Sequence, residues 1–158
     1  NGTQPANDKG FISIVSEINE GTIYKDSNVE VIAFRNSHGD LFESFGYLFI
    51  TNDKKIVFSG DTAVSTSLKK YAKDVDILVH EVYSSEGFET KADDWKIYHK
   101  AHHTSSIDLG ILANELNPKK LIASHILFWG ATETSVIEDI KENFKGEIIL
   151  ASDLLVID

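Results

Sequence analysis

Apolar positions in this chain recur first with a period of two and then with a period near 3.6, the switch falling just after Thr62. Residues 11–18 alternate well enough to predict a strand, and Glu20-Gly21 marks a turn behind it. Residues 29–34 predict a second strand. Residues 45–50 and 55–59 flank Thr51-Asn52-Asp53-Lys54 and predict an antiparallel hairpin. Beyond Thr62, Leu68, Tyr71 and Ala72 stand at helical spacing within 65–73. Residues 75–80 are a compact apolar run of the kind buried in a parallel sheet. Residues 84–96, polar with scattered aromatics, predict a long surface loop. A helix over 106–116 is announced by Ser105 with Asp108 three residues on, a capping box with Asp in place of Glu, and is stopped by Asn117-Pro118. Residues 121–124 predict a strand, 134–144 a helix with Gly146 at its C′ position, and 148–150 and 154–157 two closing strands. A meander followed by strand–helix alternation predicts an α/β fold of the α+β kind, a mixed sheet with helices packed on one face.

At 158 residues the chain fits one domain and is long enough to bury about two-thirds of its unfolded surface. No apolar run approaches the roughly 20 residues needed to cross a bilayer, so no membrane partner is expected and a cytoplasmic location is. Without cysteine, disulfides and thiolate zinc sites are excluded. A net charge of −10 argues against non-specific binding to nucleic acid, which depends on neutralising phosphates. Asn1 opens a chain that contains no methionine, and residues 1–9 lack the charged-then-apolar order of a signal peptide; the expectation is a processed product or a fragment.

The candidate chemistry gathers at strand ends. His38 follows the strand over 29–34, Asp61 closes Ser59-Gly60-Asp61-Thr62, and His125 closes Leu121-Ile122-Ala123-Ser124-His125. A sheet edge can aim side chains at one point, and imidazole with carboxylate is a zinc-type ligand set. Each has a plain alternative: Asp61 caps the next helix, His38 bonds a loop backbone, and His125 is a satisfied core histidine. His80 and Glu81 sit side by side at a strand end and so face opposite ways, which assigns Glu81 to the site and His80 to a supporting role. Tyr98 to Ser105 carries three of the six histidines just before a helix, where one could protonate a leaving group or donate to an oxyanion; a capped hydrophilic loop fits equally well.

In order, His38, Phe45-Gly46-Tyr47, Ser59-Gly60-Asp61-Thr62, Asp76-Ile77-Leu78-Val79-His80-Glu81, Ala101-His102-His103-Thr104-Ser105 and Ser124-His125 resemble the C-terminal half of the metallo-β-lactamase fold, in its ribonuclease Z and arylsulfatase-like branch. The resemblance implies an αβ/βα sandwich of which residues 1–158 form one unit, and a site for two metal ions, usually zinc. It makes Asp61 the bridging carboxylate and His38 and His125 one terminal ligand for each metal, and it matches Glu81 and His102 to a pair that assists proton transfer to the leaving group. The implied activity is metal-dependent hydrolysis of an ester (phosphodiester, sulfate or carboxylic).

Two departures shape the expectation. The family's His-x-His-x-Asp-His motif is absent, so the chain supplies only part of the ligands and is expected to be inactive without the missing half. After His125 the chain continues Ile126-Leu127-Phe128-Trp129, without the arginine such sequences tend to carry there, which favours a small-molecule ester over nucleic acid as partner. The competing readings are a non-catalytic half-domain that acts as a binding or assembly module, forming a homodimer or pairing with the missing half, and an unrelated α/β domain whose histidines are incidental.

Overall fold

The structure is a computed structural model and describes residues 15–157. Its strands are β1 (Gly21–Lys25), β2 (Val29–Arg35), β3 (Phe45–Thr51), β4 (Lys55–Phe58), β5 (Ile77–Tyr83), β6 (Lys120–Leu127) and β7 (Glu147–Leu150), and they form one sheet in sequence order. The first four run antiparallel as a meander, while β4 to β7 pair in parallel through helical crossovers. It follows that β2, β4, β5 and β6 point the same way and end on one edge. The helices are α1 (Thr66–Tyr71), α2 (Ser85–Glu89), α3 (Asp93–His102), α4 (Ser106–Leu116) and α5 (Glu133–Asn143).

Alternation along the strands decides what is covered. Phe34, Leu48, Val57, Leu78 and Leu121 turn one way and pack on Leu68 of α1, Leu109, Leu112 and Leu116 of α4, and Val136 and Ile140 of α5. The opposite face carries Tyr47, Phe49, Phe58 and Val79 around an open cleft of about 380 Å³, and Phe58 there is 43% exposed. The sheet is thus covered by helices on one side, as expected.

Several elements differ from the sequence expectation. The strand expected over 11–18 falls largely outside the described residues, and its described part, 15–18, is irregular. β1 forms where only a turn was expected, pairing with β2 through an irregular register. The loop expected over 84–96 is two helices. Ser84 caps α2 by accepting from Gly87 N, and α3 has Asp93 and Asp94 in its first turn and His99, Lys100 and His102 in its last, matching the helix dipole. Residues 154–157 are not a strand. Gly146 is not a left-handed cap; any side chain there would run into the Phe144 ring.

Candidate metal centre

The C-terminal ends of β2, β4, β5 and β6 bring His38, Asp61, Glu81 and His125 to one edge, and the segment after α3 adds His103. Each is aimed by its own backbone device. After β4 the chain turns at Gly60, whose φ is +61° and where an added Cβ would lie only 2.6 Å from the Phe45 carbonyl oxygen, so a side chain has no room. That turn delivers Asp61. Its carboxylate does not cap α1, because Ser65 does so by accepting from Leu68 N at 3.1 Å. It stands instead 3.4 Å from His125 Nε2.

His125 reaches this point because β6 is bulged against β5. Glu81 pairs with Ser124 and Val82 with Ile126, so His125 is the extra residue, held at φ +44°. A bulge bends a strand and re-aims a side chain, here out of the core to an exposed place at the edge. The core-histidine alternative for His125 is therefore excluded.

His38 lies in the loop after β2, which is tied to the Asp61 loop by Ser37 N donating to Thr62 Oγ1 at 3.0 Å and Ala63 N to Ser37 O at 2.7 Å. His38 Nδ1 is 2.8 Å from the His102 carbonyl. A carbonyl only accepts, so Nδ1 carries the proton and Nε2 keeps its lone pair, the tautomer and support typical of a metal-ligating imidazole. Gly39, at φ +57°, makes room for the His102 ring, and Gly39 N donates to Ala101 O.

Behind these groups Glu81 is 2% exposed and binds three segments together. Its Oε1 accepts from Thr62 N at 3.2 Å and Thr104 N at 2.9 Å, and Oε2 lies 3.4 Å from His103 Nδ1. That last contact is an ion pair with room to tighten and not a formed hydrogen bond. Burial opposes charge on His103, but the close Glu81 carboxylate, with a smaller contribution from Asp61, outweighs it and raises the imidazole above its ordinary value.

The expected pairing of Glu81 with His102 is corrected. His102 closes α3 with its Nδ1 on the Tyr98 carbonyl at 2.7 Å and its ring stacked on Tyr98, so it turns away from the carboxylate. His103, one residue further and in extended backbone, faces Glu81. What His102 offers the site is its carbonyl, beneath His38. The reading missed His103, Thr62 and Thr104; the only signal was the tandem of histidines at 102 and 103. His80 is fully buried on the helix side, as its alternation with Glu81 requires, and burial holds it neutral with a pKa below its ordinary value.

The rings of His38 and His103 lie 5.1 Å apart and those of His103 and His125 6.3 Å, so the expected ligands do share one neighbourhood. Among the described residues no three His, Asp or Glu side chains are arranged to hold an ion. The donors fit a divalent metal in kind, two imidazoles and a carboxylate, and fall short in number. No described helix is long and apolar enough to cross a membrane.

No family model matches the chain. It is 24% identical over 195 aligned positions to the ribonuclease Z of Archaeoglobus fulgidus, covering 91% of this chain and 61% of that protein. In structure it is similar to the metallo-β-lactamase fold protein YhfI of Bacillus subtilis (TM-score 0.66, 17% identity, 81% of this chain and 49% of that one). It is also similar to the short form of human tRNase Z (TM-score 0.60, 21% identity, 87% of this chain and 44% of that one). The chain spans between 22% and 61% of the first two curated ribonuclease Z relatives it matches. Their names are those of RNA-cleaving proteins, which overturns the expectation that a small-molecule ester is favoured over nucleic acid. That expectation rested on the net charge and on the arginine missing after His125, neither of which describes the rest of the surface: Lys91, Lys96 and Lys100 lie on and just before α3. With its one-sided mixed sheet and ordered strand-end residues, the chain has the metallo-β-lactamase fold, and its sequence is similar to that of ribonuclease Z proteins.

Proposed function

We propose that this chain supplies part of the active site of a metal-dependent phosphodiesterase of ribonuclease Z type, acting on RNA. The observation that carries the reading is the His38–Asp61–His125 edge, in which one imidazole is oriented by a carbonyl and the other stands on a left-handed bulge 3.4 Å from the carboxylate. Backbone in that region is rarely adopted by a non-glycine residue, and such outliers cluster at functional sites. His38, Asp61 and His125 are the residues that would hold a divalent ion, zinc by donor type; the ion would polarise a water and stabilise charge developing at phosphorus.

The chain's own contribution to proton movement is the Glu81–His103 pair. Glu81 faces one ring nitrogen and favours the imidazolium, so that His103 can give a proton to the departing ribose oxygen. Thr62 and Thr104 hold the carboxylate through their backbone N–H groups, and Thr104 Oγ1 donates to Thr62 O at 2.7 Å, fixing the distance between the Asp61 turn and His103.

The remaining ligands come from a second half of the domain lying outside these residues. Two observations support this: about half of each structural neighbour named above is matched, and one face of the sheet stands open. In the protein at its natural length, Asp61→Ala is expected to lower RNA cleavage at least about a hundredfold with the fold intact. Cleavage unchanged by that substitution overturns the assignment. Equilibrium dialysis of residues 1–158 alone should show weak zinc binding that Asp61→Ala weakens further.

A further inference from the structure

Next to the Glu81–His103 pair lies a cleft of about 410 Å³ lined by Asp94, Trp95, Tyr98 and His99 of α3. The His99 ring is 4.5 Å from Trp95 and 4.6 Å from Trp129, and the two indoles meet edge-on at 6.2 Å. Lys91 places its ammonium 6.0 Å over Trp95 and 5.4 Å over Trp129. Taking the ribonuclease reading as its basis, we propose that this aromatic cleft is a stacking subsite for one unpaired nucleotide of the RNA, flanking the cut.

Four features converge on that occupant. Trp129 is held at φ +48°, a region that bulky residues essentially avoid, and Gly87 leaves the space into which the Phe128–Trp129 turn closes. The strained backbone holds the Trp129 indole against the His99 and Trp95 rings, behind the wall of the cleft. Trp95 is 50% and Tyr98 52% exposed, so π-faces meet solvent at the surface of a helix. His99 is only 8% exposed and its Nδ1 is buried, so its ring packs as the floor of the cleft, while Asp94 brings a carboxylate acceptor to the rim that suits the amino group of a base and not an aliphatic chain. Finally, the cleft adjoins the site, since the His99 ring that lines it is 5.4 Å from that of His103.

Charge agrees locally although the molecule is acidic. Glu89 pairs with Lys96 at 2.7 Å, whereas Lys91 stands over the indoles and Lys100 lines the groove that reaches His103 and Thr104. A backbone phosphate on either side of a stacked base would meet one of these two ammonium groups.

The chain has only two tryptophans, Trp95 and Trp129, so intrinsic emission reports on this cleft alone. Titrating an oligoadenylate hexamer into residues 1–158 should quench that emission saturably, and an abasic ribose-phosphate oligomer of equal length should not. Trp95→Ala should weaken binding about tenfold and Trp95→Phe should restore most of it, with circular dichroism unchanged in both. Equal quenching by the abasic oligomer, or Trp95→Ala binding as the parent does, overturns the proposal. The site reading fails separately. In the natural-length protein Trp95→Ala should raise KM for RNA and leave kcat alone; RNA cleavage with KM unmoved overturns the cleft and spares the site. Indole-dependent RNA binding without any cleavage overturns the site and spares the cleft.

Discussion

The two sides of the Glu81–Asp61 neighbourhood are built on opposite principles. Glu81, Thr62, Thr104 and His103 are buried, and the carboxylate is held by two N–H donors. Asp61 and His125 stand half-exposed, 3.4 Å apart, on a glycine turn and a strained bulge, with no third His, Asp or Glu among the described residues arranged with them to hold an ion. The buried side fixes the position of backbone segments. The open side presents the Asp61 carboxylate and the His125 ring to solvent at the sheet edge. Stability should therefore respond to the first side, and ligand binding to the second.

The sharpest test is Glu81→Ala. Removing the carboxylate leaves Thr62 N and Thr104 N buried without acceptors, each costing about 1–3 kcal/mol, so urea unfolding should report a loss of about 3 kcal/mol or more. Glu81→Gln keeps an acceptor for those N–H groups and removes only the charge facing His103. It should cost far less stability, and a pH titration followed by NMR should show the His103 imidazole falling back from its raised value. Equal losses in the two variants would mean that the clamp is electrostatic and not geometric.

Next in size is Gly39→Ala. The added methyl must enter the space of the His102 ring and adopt φ +57° as well, a cost of about 1–2 kcal/mol. Because the His102 carbonyl orients His38, the same substitution should weaken metal binding in the natural-length protein. Intact metal affinity with reduced stability would separate His38 from that support.

Much of this arrangement could be read from the chain, and the reasons for the rest are specific. β2 to β6 were legible because alternation places Phe34, Leu48, Val57, Leu78 and Leu121 on one covered face. α4 was legible because its start and stop are chemical, Ser105 with Asp108 and Asn117 in left-handed backbone. α3 was hidden, since Trp95, Ile97 and Tyr98 are exposed and no apolar stripe marks it. His102 and His103 were indistinguishable because the choice between them depends on where α3 stops. Nothing in Ser124-His125-Ile126 announces an inserted residue, so the bulge that aims His125 was invisible.

A smaller effect separates the helix side of β5 from the site side. His80 is buried and its folded pKa lies below its ordinary 6.5, so the unfolded chain binds more protons as pH falls. This contribution to stability is complete above pH 6.5 and is lost as pH falls below it. Urea midpoints should drop from pH 7.5 to pH 5, and His80→Gln, which cannot titrate and can still donate toward the Glu81 carbonyl, should flatten the drop. An unchanged slope would assign the acid sensitivity to other groups. Tyr83 gives the mirror case in alkali: burial and Asp108 push its phenol up to about 12, so stability present below pH 10 is lost as pH rises toward 12, alongside tyrosinate absorbance.

The smallest expected effect has the opposite sign. His125 occupies left-handed backbone, which costs a non-glycine residue about 1–2 kcal/mol. Glycine removes that cost and gives back about 0.5–1 kcal/mol through its looser unfolded chain. Since the His125 side chain is 54% exposed and packs little, His125→Gly should leave the chain as stable as before or more stable by about 0.5 kcal/mol. In the natural-length protein the same change should abolish tight metal binding. A residue kept at a backbone cost, contributing nothing to the core, is held there for what its ring touches, and a destabilised glycine variant would show that His125 supports the fold after all.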